Sequence, residues 1–158
     1  MKAISKINNT LAKIEGAVMV FWFAIVLVVM TCQVVSRYIF NAPIAWSEEF
    51  ARYSFVWISY IGCAYCVSVD AHTGITAFRD ALPPKAKKLT TVLGNVVVMI
   101  VFIRLLPIAM KFIGKNSKFL TSMMRIPFKY LYYSLPVGCV LTVVHLILKS
   151  ILLFAPEI

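Results

Sequence analysis

The stretch Arg37–Arg52, RYIFNAPIAWSEEFAR, separates two long apolar runs of the chain. Pro43 interrupts a helix, and Ser47 is a favourable N-cap for the helix that follows. Glu48 and Glu49 then lie in the first turn, where the helix dipole favours negative charge. Two of the six acidic residues are adjacent here and arginines flank them. We interpret the stretch as the turn of a membrane hairpin, with an ion-paired contact surface at the membrane edge.

Composition places the rest of the chain in the membrane as well. Of its 158 residues, 61% are hydrophobic and 14% are charged, whereas an ordinary soluble domain is about one quarter charged. A helix that crosses about 30 Å of hydrocarbon needs roughly 20 mainly apolar residues. The sequence therefore predicts an all-α integral membrane protein, a single domain over residues 1–158 with four transmembrane helices. The predicted spans cover about residues 15–38, 48–69, 89–111 and 130–153.

Two further segments are candidates for short amphipathic helices at the membrane interface. Apolar residues recur at helical spacing from Ile4 to Ile14 with lysines between them, a pattern typical of an interfacial helix. A helical extension of the first span fits that pattern equally well. A similar pattern from Ile75 to Leu82 ends at two prolines. The predicted cytoplasmic-interface residues nearby are His72, Lys85, Lys87 and Lys88, of which the lysines suit a phospholipid surface.

The connection between the third and fourth spans is unusual in its charge. We expect both termini to be cytoplasmic, because the N-terminal arm is short and basic and the first helix usually sets the orientation. This connection then faces outward, although it carries five basic residues and no acid. The five basic residues are expected either to contact lipid phosphates or to form a docking site for an acidic partner outside the membrane. The docking candidates are Lys111, Lys115, Lys118, Arg125 and Lys129.

The predicted spans carry no acidic group deep within them that could serve coupled transport. Such transport generally uses ionisable or cavity-lining groups near the bilayer midplane. Glu15, Glu48 and Glu49 lie at span ends, and the other acids lie in the second connection or the tail. A sodium or proton site is therefore expected in another subunit, and this chain is expected to be an accessory protein.

Arg104 is the one strongly charged residue inside a predicted span. We expect Arg104 or Arg37 to pair with Glu48 or Glu49; the alternative for Arg104 is snorkelling to the surface. His145 and His72 are expected to be hydrogen-bonded interfacial histidines. The candidates for ion pairs and a subunit interface are Arg37, Asn41, Trp46, Glu48, Glu49, Arg52 and Arg104.

Two other functions remain open at this point. Cys63-Ala-Tyr-Cys66 has the spacing of a redox motif, which would suit a membrane thiol oxidoreductase. Both cysteines fall within a span, whereas exchange with a soluble partner needs an exposed thiolate. A self-sufficient small four-helix exporter is the other alternative, but the first span has only Thr31 and Gln33 as markedly polar residues.

One combined pattern consists of Arg37-Tyr38, Asn41, Trp46-Ser47-Glu48-Glu49, Arg52, Trp57, Gly62, His72 and Leu82-Pro83. This pattern resembles the small membrane subunits of tripartite ATP-independent periplasmic (TRAP) transporters. The resemblance extends over the whole chain in length and four-span layout. It implies a bacterial inner-membrane protein that binds a much larger polytopic subunit. It also implies a periplasmic substrate-binding protein that delivers an organic acid, such as a sialic acid or a C4-dicarboxylate, for sodium-coupled uptake.

On this interpretation the chain is a noncatalytic scaffold. It is not an enzyme, and no catalytic, metal or cofactor-binding residues are assigned. Membrane lipids are expected partners and nucleic acid is not.

Overall fold

The computed structural model describes residues 2–69 and 83–154, and all regular secondary structure in these two ranges is helical. The helices are α1 (Lys2–Ile39), α2 (Ser47–Ser68), α3 (Pro84–Asn116), α4 (Lys129–Tyr132) and α5 (Ser134–Phe154). The segments long and apolar enough to cross a membrane are Ile4–Ile39, Leu89–Asn116 and Lys129–Leu152. The all-α membrane fold is therefore confirmed. The predicted second span, α2, is not among these segments, because charged and polar residues lower its hydropathy.

The helix α1 is continuous over its 38 residues. Its length is about 57 Å at 1.5 Å per residue, far more than the roughly 30 Å of bilayer hydrocarbon. Residues 4–14 thus extend the apolar part of α1 and do not form a separate interfacial helix. The second predicted interfacial helix, at residues 75–82, lies outside the described residues.

The connection from α1 to α2 is a short, hydrogen-bonded turn. Asn41 has a φ of 50°, a left-handed conformation that asparagine tolerates and that commonly ends a helix. The Ile44 N–H donates to the Gln33 side-chain oxygen at 2.6 Å, which draws the turn onto α1. The predicted N-cap at Ser47 is wrong. Trp46 occupies the cap position, and the Ser47 hydroxyl instead donates to the Ile44 carbonyl at 2.7 Å.

The helix α2 packs against both α1 and α5, which also contact each other. A side chain at Gly138 of α5 would place its Cβ 2.8 Å from the Tyr60 Cβ and 3.0 Å from the Tyr60 carbonyl oxygen. The two helices approach closely here because position 138 has no side chain. Ala64 on α2 and Cys139 on α5 are fully buried at the same contact.

The helix α3 packs on α5, with Ala109 and Ile113 buried in that contact. Elsewhere the helices expose large apolar side chains, including Val20, Phe21 and Ile108. An apolar surface of this kind requires lipid or another protein to cover it.

Candidate functional site

Glu49, in the first turn of α2, is buried and bonded to a distant part of the chain. Its carboxylate oxygens accept hydrogen bonds from three consecutive backbone N–H groups, those of Ser122, Met123 and Met124, at 3.0, 2.9 and 2.8 Å. The Tyr53 hydroxyl donates to the same carboxylate at 2.7 Å. Successive backbone donors of this kind form a concave anion-binding site. Glu49 thereby fastens residues 117–128, which we name the basic loop, to the N-terminal end of α2.

The basic loop has a folded structure of its own. Leu120 and Pro127 form an isolated antiparallel bridge. The Thr121 N–H donates to the Ile126 carbonyl at 2.9 Å, and the Ile126 N–H donates to the Thr121 hydroxyl oxygen at 3.0 Å. Arg125 has a φ of 55° at the tip. These bonds give the loop a defined turn, which presents three adjacent N–H groups to Glu49.

Aromatic rings join the basic loop to the surrounding helices. Phe128 contacts Tyr53 of α2 edge to face, with ring centroids 6.0 Å apart, and stacks on Tyr132 of α4 at 5.8 Å. Tyr132 also meets Phe112 of α3 at 5.0 Å. The loop is therefore packed against α2 and α4 as well as bonded to Glu49, and Tyr132 connects this cluster to α3.

The five predicted docking residues lie on the basic loop or in the helical turns beside it. Lys129 is half-buried, with its Nζ 5.1 Å from the centroid of the Tyr130 ring, a cation–π contact. The other four are exposed: Lys111, Lys115, Lys118 and Arg125. The structure thus brings the basic residues of the third connection to the same end of the molecule as the hairpin turn.

The predicted ion-pair residues are only partly brought together. Arg37 lies 3.9 Å from Glu48, and both side chains are about 60% exposed. Arg104 lies on an exposed face of α3 and forms no ion pair with a carboxylate of residues 2–69 or 83–154. The remaining interface candidates are all exposed: Asn41, Trp46 and Arg52. His72 and the side chains of Lys85, Lys87 and Lys88 lie outside what the structure describes.

A second buried carboxylate lies at the opposite end of α2. His145 of α5 is fully buried; its Nδ1 is 2.7 Å from the Asn8 Oδ1, and its Nε2 is 3.1 and 3.2 Å from the two Glu15 oxygens. We name Asn8, Glu15 and His145 the histidine cluster. One turn further along α5, the Lys149 ammonium donates to the Val67 carbonyl of α2 at 2.6 Å. Polar contacts therefore join α1, α2 and α5 at this end.

The expectation of a hydrogen-bonded histidine is confirmed for His145, but sequence reasoning missed its partners. Asn8, Ala12 and Glu15 are spaced four and three residues apart and lie on one buried face of α1. A polar residue at each end of such a face is a signal of a buried contact. The partner could not be read from the sequence, because His145 is more than a hundred residues away.

The cysteines do not form an accessible redox site. Cys63 and Cys66 are free and only partly exposed, within α2, while Cys139 is buried and Cys32 lies apart on α1. No group of three or more His, Cys, Asp or Glu side chains suited to a metal ion occurs within residues 2–69 and 83–154.

Two surface grooves between the described helices are apolar. A groove of about 400 Å³ lies between α2, α3 and α5, beside Tyr60 and Ile108. A second, of about 340 Å³, lies between α1 and α2 and is lined by Met19, Trp22 and Trp57 among other apolar residues. No basic residue lines either groove, so neither offers a counter-ion to an organic acid.

Residues 16–155 match the family model described as the DctQ component of tripartite ATP-independent periplasmic transporters. The chain is 32% identical over 143 residues to the sialic acid TRAP transporter small permease protein SiaQ of Vibrio cholerae, covering 90% of this chain and 81% of that one. It is 25% identical over 85 residues to the C4-dicarboxylate TRAP transporter small permease protein DctQ of the same species, covering 54% of this chain and 37% of that one.

A longer protein also matches. The sialic acid TRAP transporter permease protein SiaT of Haemophilus influenzae is 26% identical over 141 residues, which is 89% of this chain and 22% of SiaT. This chain therefore spans only about a fifth of that relative. The matching proteins are transporter components and not enzymes. The chain is accordingly a multi-pass membrane protein that forms part of a multi-subunit transporter, and it belongs to the DctQ family, the small membrane subunits of TRAP transporters.

Proposed function

We propose that this chain is a noncatalytic scaffold subunit. It holds a large transport subunit in the bacterial inner membrane and enlarges the outer surface on which a periplasmic substrate-binding protein docks. The complete transporter takes up an organic acid, of the sialic acid or C4-dicarboxylate type, in a sodium-coupled process. The substrate classes in the names of the relatives support this choice.

The observation that carries the docking role is the attachment of the basic loop to Glu49. Residues 111–129 contain five basic side chains and no acid. A patch of one sign steers a partner of the opposite sign and sets specificity. A loop held by three backbone bonds to a buried carboxylate presents its charges in one arrangement. Binding then requires less ordering of the loop, which is the advantage of a preorganised surface.

The proposal includes four membrane spans, of which α2 is the second. Glu49 and Val67, at the two polar ends of α2, are about 27 Å apart along the helix axis at 1.5 Å per residue. This separation approaches the thickness of the hydrocarbon core. Both termini then lie on one side, which we assign to the cytoplasm because of the basic N-terminal arm. The spans cover about residues 15–38, 48–69, 89–111 and 130–153.

The substrate and sodium sites are assigned to the large subunit. Glu15 and Glu49 are the buried carboxylates of the described residues, and each already has hydrogen-bond partners within the chain. The grooves lack charged lining. A small subunit of this kind supports a transport site without supplying it.

Contact with the large subunit is assigned to exposed charged residues at the hairpin and on α3. Arg37, Glu48 and Arg52 are exposed at the N-terminal end of α2. Arg104 is exposed within an apolar helix, and a charge at such a position generally has a partner. We propose that this partner belongs to the large subunit.

The first test is purification of the tagged chain together with the other subunits of its transporter, in a mild detergent. Copurification of a much larger polytopic protein in a one-to-one ratio supports the scaffold role, as does uptake that requires both membrane subunits and the binding protein. A chain that purifies alone as a dimer and moves a solute by itself contradicts it.

The docking role has its own test, which is reversal of charge at exposed positions of the basic loop and α3. The combined change Lys115→Glu, Lys118→Glu and Arg125→Glu should weaken engagement of the binding protein by at least tenfold at low salt, and by less as salt rises. Lys6→Glu with Lys13→Glu, two exposed lysines at the other end of the molecule, is the control. Unchanged uptake and binding after the triple reversal, with the membrane complex intact, contradict docking at this surface.

A further inference from the structure

The histidine cluster has no part in the scaffold and docking roles, yet it brings three buried polar side chains together. The His145 ring has no exposed surface, and Asn8 and Glu15 are each 5% exposed. Every polar atom of the ring faces another side chain. The hydrogen-bonding capacity of these atoms therefore determines which protons the cluster contains.

The contact with Asn8 fixes the first proton. The amide oxygen Oδ1 is an acceptor only, so His145 Nδ1 must carry a hydrogen and donate it across the 2.7 Å contact. In a neutral imidazole the other nitrogen, Nε2, is then an unprotonated acceptor. It faces the two Glu15 oxygens at 3.1 and 3.2 Å, which are also acceptors when ionised. An acceptor facing acceptors repels them, so a second proton must lie between the ring and the carboxylate.

Charge balance leads to the same conclusion independently. A carboxylate that is 5% exposed, beside a neutral ring, would be an uncompensated buried charge, which costs several kcal/mol. A proton on Nε2 gives an imidazolium–carboxylate pair, and a proton on Glu15 gives a neutral acid that donates to Nε2. Both arrangements have no net charge, and both contain the same number of protons.

We propose that the histidine cluster is a proton-binding site, which holds one proton between His145 Nε2 and the Glu15 carboxylate in the folded protein. The bound proton joins α1 to α5 and is part of the helix contact. In this role the proton belongs to the fold of the chain.

Three other ionisable side chains on the helices packed here are described. Lys149, one turn along α5, donates to the Val67 carbonyl. Tyr65 of α2 packs its ring on Gly16, and Lys13 of α1 is exposed. Among residues 2–69 and 83–154, the ion-pair contact of Glu15 is the one with His145.

The test uses the full chain in lipid nanodiscs, with histidines labelled with ¹⁵N. The chain has only two histidines, so the substitution His72→Gln leaves His145 as the single labelled ring. The expected spectrum at neutral pH shows Nδ1 protonated, with Nε2 either protonated or hydrogen-bonded to a protonated carboxyl group. A neutral ring with Nε2 protonated and Nδ1 bare would overturn the proposal, because it means that the Asn8 amide is turned and donates its own N–H.

A second variant distinguishes a bound proton from a merely structural contact. Glu15→Gln replaces an acceptor by an amide, which can donate to Nε2 without any extra proton. In this variant His145 should be the neutral ring with Nδ1 protonated and Nε2 accepting from the new amide. A ring that stays doubly protonated at neutral pH in Glu15→Gln would also overturn the proposal, because its second proton would then not depend on the Glu15 carboxylate. The wild-type spectrum decides the question alone if the variant fails to fold.

Discussion

Glu49 and Glu15 are two buried carboxylates at opposite ends of α2, and they are satisfied in different ways. Glu49 is 8% exposed and accepts bonds from three backbone N–H groups and a tyrosine hydroxyl. Glu15 is 5% exposed and faces one imidazole ring. Backbone donors are supplied by an irregular loop, whereas the imidazole is supplied by a helix. Glu49 therefore shapes a surface, while Glu15 determines how two helices pack.

The two environments also differ in which groups lose their hydrogen-bond partners when Glu49 or His145 is substituted. Removing Glu49 leaves three backbone donors of a loop, which can turn toward water. Removing His145 leaves a carboxylate that is 5% exposed and has lost the imidazole that faced it. We therefore expect larger effects on stability at the histidine cluster and larger effects on local order at the basic loop.

The largest effect is expected for His145→Leu. This change leaves the Glu15 carboxylate without its partner. It should lower the free energy of unfolding by about 3 kcal/mol, the cost of removing one member of a buried pair. Chemical unfolding in mixed micelles measures it. The double variant His145→Leu with Glu15→Leu should recover most of that loss, because two apolar groups leave no charge behind. A double variant that loses as much as the sum of both single changes contradicts a paired role. Val144→Leu, at the neighbouring exposed position, is the control.

The next effect is expected for Glu49→Gln. Glutamine keeps one acceptor oxygen but directs an NH₂ group at the backbone donors, so about 2 kcal/mol of charge-assisted bonding to the basic loop should be lost. Backbone amides of residues 122–124 should then exchange with deuterium about 30-fold faster, since 1.36 kcal/mol corresponds to a factor of ten.

Glu48→Gln provides a matched control for this change. The two glutamates are adjacent, but the Glu48 side chain is 61% exposed and lies only near Arg37. Exchange at residues 122–124 should stay at the wild-type rate in this control. Equal acceleration in both variants would show that loss of charge at the end of α2, and not the bonds of Glu49, controls the loop.

A smaller effect is expected midway between the two carboxylates, where Gly138 sets the distance between α2 and α5. The Cβ of Gly138→Ala would meet Tyr60 side-chain and backbone atoms at 2.8 and 3.0 Å. Separation of the helices should cost about 1–2 kcal/mol. Gly94→Ala on α3 has no atom within 4 Å of the new Cβ, and it should stabilise the helix by about 0.5–1 kcal/mol. Thermal unfolding in one detergent compares the two. Equal stability of both variants contradicts the close contact.

The sequence predicted where each carboxylate lies on its helix. It did not predict which groups bond to that carboxylate. Glu49 could be placed in a first helical turn because Pro43 and the acidic pair mark a helix start. Its bonds to residues 122–124 could not be predicted, since nothing local to either segment encodes a contact over more than seventy residues. The course of Ile4–Ile14 was also undetermined, because helical periodicity is the same for an interfacial helix and for an extension of α1. The boundary of α2 differs by one residue from the prediction because the Ser47 side chain closes a turn instead of capping the helix.

The smallest effect is expected for the pair Arg37–Glu48, which contains an exposed carboxylate in contrast to the two buried ones. At 3.9 Å, with both side chains about 60% exposed, solvent screens the attraction and ordering two long side chains opposes it. A double-mutant cycle with Arg37→Gln and Glu48→Gln should give a coupling below about 0.5 kcal/mol in the isolated chain. A coupling above about 1 kcal/mol would contradict this expectation. The same cycle, measured as stability of the complex with the large subunit, should give a larger coupling if that subunit buries the pair. Equal values in the chain and the complex would remove Arg37 and Glu48 from the proposed interface.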